Sequence, residues 1–208
     1  DRGQTALQAL GVETGRIVPP DIFIIHGCQS GLARDPNFRL EYESAIMHNE
    51  DRNRTIIRLA QVLSGPTVIL VDRIEHGEHL AKRVGCQFIA GSTPTAQREK
   101  AYDRFRAGGD TLVISKLADE ALDLPNIENL ILAGGGRAPH KQIQRIGRGM
   151  RTHEGKKSVS VFDFEDYGQY VAAHYRRRRR TYEREAAYNV VDIDAKEIDQ
   201  WLRRKSDE

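Results

Sequence analysis

From residue 66 onward, short runs of β-branched and aliphatic residues alternate with longer segments of helical period, and few architectures accommodate that alternation. Strand, helix, strand in succession reads as a βαβ unit, and stacked units give a mostly parallel sheet. TVILV (67–71) reads as a buried strand, and Glu75 to Val84 as a helix with Asp72 placed to cap it. QFIA (87–90) reads as the next strand. In GSTPTAQREKAYDRFRAGG, Thr93 is placed to cap a helix over 94–107 and Pro94 suits its first position. Ala101, Tyr102 and Phe105 share one face of that helix, and Gly108 with Gly109 stop it. TLVIS (111–115), NLILA (129–132 in its core) and SVSVFDF (158–164) read as three further strands, with a helix over Pro139 to Met150 before the last. Four or five strands joined by right-handed crossovers are expected to make an α/β fold, a mostly parallel sheet sandwiched by helices.

The flanks carry a different pattern. Residues 1–65 hold a short helical stretch (Thr5 to Leu10), one extended segment, PPDIFII, and two helical stretches ending in RNRTIIRLAQVL. They are expected to pack against the sheet as a lead-in. Residues 166–208 read as a polar helical extension, closing with NVVDI and a helix over Ala195 to Lys205. With 208 residues, 39% of them hydrophobic, the chain can bury one ordinary core. No apolar run approaches the roughly 18 residues a membrane span needs, so a soluble, intracellular protein is expected, cytoplasmic in a bacterial or phage setting. Cys28 and Cys86 stand far apart, indicating neither a disulfide framework nor a zinc site, and packing is their expected role. A net charge of +2 requires any anion site to arise from local clustering.

Such a cluster stands at 142–151, QIQRIGRGMR, with Arg145, Arg148 and Arg151 three residues apart. The plainer alternative is a solvated basic helix end. Two features favour a ligand: the cluster follows NLILAGGG, whose glycines permit close backbone approach, and parallel sheets bind ligands at the carboxyl ends of their strands. Guanidinium forks match phosphate oxygens bidentately and stay charged at any working pH, so a polyphosphate is the expected target.

The pattern Q-x-x-Q-R-x-G-R-x-x-R resembles motif VI of superfamily 2 helicases and translocases. TVILVDRIEHGEHLAKRV resembles motif IV, GSTPTAQREKAYDRFRAGGDTLVIS the block after it, and SKLADEALDLPNIENLIL motif V, in which Ala121 replaces the family's glycine. The resemblance runs from about Pro19 to Tyr188 and is nearest to the branch of xeroderma-type repair helicases and phage recombination helicases. It implies a RecA-like C-terminal lobe over 66–165, with 1–65 as the lead-in and interlobe connection and 166–208 as the extension. Arg148 and Arg151 would reach the γ-phosphate of ATP as catalytic arginine fingers. Gln144 would sit by that phosphate or its attacking water, Asp123 would touch the ribose or hold a finger in place, and Arg145 would tie the motif to its own domain. Nucleic-acid phosphates would be bound by Ser115 with Lys116 beside it, by Gly91, Ser92 and Thr93 at a helix start, and by Arg73.

Asp119-Glu120-Ala121-Leu122 imitates a magnesium-binding motif of the same enzymes, but that motif needs an upstream G-x-x-x-x-G-K-[ST], which none of the 208 residues supplies. DEAL therefore belongs to motif V. ATP and Mg²⁺ would be held mainly by an N-terminal RecA-like lobe outside this sequence, with DNA as the other partner. Two other functions fit the same motifs: a double-strand translocase or restriction-type motor, and a non-catalytic nucleic-acid-binding lobe. His76 and His79 supply too few ligands for a metal, and a solvated helix face is expected there. The five arginines 176–180 cannot share one face, and with Glu183 and Glu185 nearby they read as a solvated helix with local ion pairs, direct DNA contact being the alternative.

Overall fold

The computed structural model describes residues 20–31, 37–108, 111–115, 127–136 and 159–206. Seven strands form one sheet: β1 (Pro20–His26), β2 (Thr67–Val71), β3 (Gln87–Ile89), β4 (Leu112–Ser115), β5 (Asn129–Leu132), β6 (Val159–Phe164) and β7 (Asn189–Asp194). Their order is β3-β4-β2-β5-β6-β1-β7, and every pairing is parallel. The helices are α1 (Phe38–Tyr42), α2 (Glu50–Val62), α3 (Ile74–Val84), α4 (Thr95–Gly108), α5 (Val171–Arg184) and α6 (Ile198–Ser206), with a π-helical turn, Glu43–Met47, between α1 and α2.

Strand alternation sorts the core onto two faces. Ile22, Ile24, Val68, Leu70, Leu130 and Val161 point toward Ala101, Tyr102 and Phe105 of α4 and Tyr175 and Tyr182 of α5. The alternate residues Phe23, Ile25, Ile69, Val113, Ile131 and Phe162 meet Ile56 and Leu59 of α2, Leu80 of α3, and Ile198 and Leu202 of α6. Burial on both faces explains why β2, β4 and β5 read as unbroken apolar runs.

The flanks contribute more than packing. PPDIFII supplies β1, an interior strand in which Pro20 takes the first position and pairs with Val159, and NVVDI supplies the edge strand β7. Seven strands thus replace the four or five expected from the central region. Helix starts differ in detail as well. The N-cap of α3 is Arg73, without a side-chain cap bond, and not Asp72. Thr93 does not cap α4: its hydroxyl accepts from the Ala90 N–H at 2.9 Å and closes the turn, while the Pro94 carbonyl accepts from Gln97 and Arg98. The helix expected over Pro139 to Met150, that over Thr5 to Leu10 and Gly109 lie outside the described residues.

Candidate functional site

The carboxyl ends of the strands form one row. Register places Ser115 beside Val71 and Ile114 beside Ile89, so the end of β4 neighbours the turns after β3 and β2. Gly91, Ser92 and Thr93 occupy the first of these turns, with Gly91 and Ser92 exposed. Ser115 ends β4; it is 2% exposed and its hydroxyl has no partner among the described residues. Arg73 is exposed after β2, its guanidinium 5.6 Å from the centre of the Tyr42 ring. The topology therefore gathers these five residues on one sheet edge. Lys116, Asp123, Gln144, Arg145, Arg148 and Arg151 lie outside the described residues.

Next in the row comes the turn after β5, Ala133-Gly134-Gly135-Gly136, which leads toward the arginine cluster. Two of its glycines are required by space. A Cβ on Gly134 would stand 2.9 Å from the Asp72 backbone nitrogen, and Gly135 has φ +61° with Ile46 Cδ1 2.8 Å from the corresponding position. Tyr42 donates its hydroxyl proton to the Gly134 carbonyl at 2.7 Å, and burial holds that phenol far above its ordinary pKa.

Two buried arginines grip the same turn. Arg52 of α2 donates to the Ala133 carbonyl at 3.1 Å and to Asp166 at 2.7 Å, with its guanidinium 4.4 Å from the Phe164 ring centre. Arg178 of α5 donates to the Gly136 carbonyl at 3.1 Å, to Asp163 at 2.8 and 3.1 Å, to Asp166 at 2.7 Å and to the Phe164 carbonyl at 3.0 Å. Tyr182 adds a hydroxyl to Asp163 at 2.7 Å. Two cations and two anions balance, and each charged group is 3% exposed or less. Burial opposes the charged guanidinium of Arg178, yet Asp163 and Asp166 outweigh it and raise its pKa. Buried pairs of this kind seldom stabilise a fold more than apolar residues of the same volume would. What they do here is fix two helices, α2 and α5, and strand β6 around one backbone turn.

Arg178 thus departs from the solvated run expected over 176–180. Arg176, Arg177 and Arg180 are exposed and Arg179 pairs with Glu183 and Asp192, but the middle residue is internal. Its signal was helical phase, because Val171, Tyr175, Arg178 and Tyr182 recur on one face and all are buried. His76 departs from its solvated face for the same reason. It is 1% exposed beside Leu80, is hydrogen-bonded to Asn53 at 2.9 Å, and burial, then the Arg52 charge, lowers its pKa to about 3. Among the described residues no group of His, Cys, Asp and Glu could hold a metal, and no helix is long and apolar enough to cross a membrane.

A pocket of about 580 Å³ opens beside this turn, between α1 and the start of α5. Glu41 makes its frame: 3% exposed, it accepts from the N–H groups of Gln169, Tyr170 and Val171 at 2.7–2.9 Å and locks α1 onto α5. Phe38 consequently stands over Tyr42, Tyr170 and His174, with ring centres 5.6–6.1 Å away. Asp72, Arg73 and Gly136 complete the lining. Phe38 and Tyr170 carry no local sequence signal, since their partners come from distant segments.

Comparison with known proteins agrees with this fold. The pattern of the helicase conserved C-terminal domain matches residues 44–153. A DNA 3'-5' helicase XPB of Kineococcus radiotolerans is 32% identical over 149 residues, covering 69% of this chain and 26% of that protein. The chain spans about a quarter or less of the length of the curated relatives it matches. In fold, it is similar to the C-terminal domain of the DEAD-box protein Dbp5, with a TM-score of 0.65 and 14% identity over 92% of this chain and 98% of that one. T4 UvsW gives a TM-score of 0.65 with 18% identity, over 87% of this chain and 42% of that one.

Proposed function

We propose a motor-lobe function on one plain premise: this chain belongs to the helicase conserved C-terminal domain family. In the intact protein it serves as the C-terminal RecA-like lobe of a superfamily 2, ATP-dependent DNA helicase. A second RecA-like lobe supplies the P-loop and the Mg²⁺ site, and ATP lies in the cleft between the two. Arg148 and Arg151 extend from this lobe to the γ-phosphate and stabilise the charge of the transferring phosphoryl group. Gln144 orients the attacking water, Asp123 meets the ribose or steadies a finger, and Arg145 anchors the motif to its own lobe. Gly91, Ser92, Thr93, Ser115, Lys116 and Arg73 hold phosphates of the tracked strand. Cleft closure and reopening shift those contacts along the strand once per ATP.

The observation that carries this reading is the clamp on the turn after β5. Arg52 and Arg178 seize the carbonyls of Ala133 and Gly136, immediately before the segment that bears the arginine cluster. A finger is effective only when its origin is fixed, because charge stabilisation depends on donors held in place before the reaction. DNA is preferred as the substrate because relatives are named DNA 3'-5' helicases. The test is an ATPase and strand-displacement assay of the intact protein, with Mg²⁺, on forked and blunt DNA. DNA-stimulated hydrolysis with displacement of the forked strand is the expected result. Hydrolysis without displacement assigns a duplex translocase, and neither activity assigns an idle binding lobe. The 208-residue chain alone is expected to show no Mg²⁺-dependent turnover.

A further inference from the structure

The pocket between α1 and α5 is not accounted for by motor chemistry. Four rings line it: Phe38, 38% exposed, has Tyr42 and His174 tilted against one side of it and Tyr170 edge-on. Its lining includes a cation, the exposed Arg73, whose guanidinium lies 5.6 Å from the centre of the Tyr42 ring, and Asp72. An exposed aromatic ring with a cation beside it suits a planar heteroaromatic ring linked to a phosphate. The volume, about 580 Å³, lies within the range of small-ligand sites, and Glu41 prebuilds it by tying α1 to the first turn of α5. Position gives the source of the ring. Arg73 belongs both to this pocket and to the row of strand ends that holds Gly91, Ser92, Thr93 and Ser115.

We propose that this pocket receives an unpaired nucleobase of the strand the lobe tracks, stacked on Phe38 with its phosphate toward Arg73. The inference rests on the nucleic-acid-binding function proposed above and adds a base contact to its backbone contacts. Stacking accepts any base face, so the site grips without reading sequence, as a translocating lobe requires.

The experiment uses the 208-residue chain with a single-stranded oligonucleotide carrying 2-aminopurine, and with an abasic oligonucleotide of the same length. Affinity is read by anisotropy and stacking by quenching of 2-aminopurine. The intact chain should bind the base-bearing strand more tightly than the abasic one and quench it. Phe38→Ala should weaken the base-bearing strand alone by about 5- to 150-fold, the loss one stacked base represents. Phe38→Trp should retain binding and quenching, and Arg73→Ala should weaken both strands. Equal affinity for the two strands, with no effect of Phe38→Ala, overturns the base site and leaves phosphate binding intact. A Phe38→Ala defect confined to a fluorescent ATP analogue also overturns it, assigning the pocket to the nucleotide's own base. Binding of neither strand overturns this inference, while the ATPase and displacement assay of the intact protein decides the proposed function separately.

Discussion

Replacing Arg178 by Met keeps much of the side-chain volume and removes one of two cations from a buried group of four charges. Arg178 is 2% exposed, and its partners Asp163 and Asp166 are fully buried, so the carboxylates left behind gain no access to water. Removal of one partner from such a pair costs about 3–5 kcal/mol, because the remaining charge stays desolvated and unpaired. The carbonyls of Gly136 and Phe164 lose their donors at the same time. For a urea dependence of about 2 kcal/mol per molar, the expected fall in the unfolding midpoint is about 1.5–2.5 M. The assay is equilibrium urea unfolding of the 208-residue chain followed by far-ultraviolet circular dichroism. Arg177→Met, next door and exposed, is the control, with an expected change within about 0.5 kcal/mol. Adding Asp163→Asn to Arg178→Met should recover part of the loss, since the anion leaves with its cation. A midpoint for Arg178→Met within about 0.3 M of the parent would refute the clamp.

Two histidines should move stability in opposite directions with pH. The folded pKa of His76, about 3, lies below its ordinary value of 6.5, so between those limits the unfolded chain binds a proton that the fold refuses. Its contribution is present above pH 6.5 and falls with acidification by at most about 1.4 kcal/mol per unit; His76→Gln should flatten that part of the urea midpoint profile between pH 7 and 5. At His26 burial lowers the pKa, but hydrogen bonds to Glu165 at 2.8 Å and Asp192 at 2.5 Å, with their charges, raise it on balance. That contribution is complete below the ordinary value and lost as pH rises through the folded one, so the deficit of His26→Gln should be larger at pH 5.5 than at pH 9. Gly135→Ala combines a positive φ with a 2.8 Å contact to Ile46 Cδ1, and should lower stability by about 1–3 kcal/mol in the same unfolding assay.

The five central strands were legible because each is a local apolar run ended by turn residues, which is the form a strand takes when both faces are covered. β1 and β7 were legible as extended segments but not as sheet members. Pro20 pairs with Val159 and Asp21 with Asn189, and no local pattern announces partners so distant. The strand-end row followed from motif order, since Arg73, Ser92 and Ser115 each close a recognisable strand. Arg178 was hidden by its four identical neighbours and His76 by an adjacent histidine. In both, helical phase decides burial, and counting charges obscured it. Phe38 was beyond sequence reasoning, because its pocket exists only after Glu41 reaches the backbone of α5.

In the intact protein, Arg151→Ala should lower DNA-stimulated ATP hydrolysis by about 10³- to 10⁵-fold while nucleotide affinity stays within a few-fold, with Arg148→Ala behaving alike. Full turnover in either variant would contradict the assignment of that arginine to the γ-phosphate.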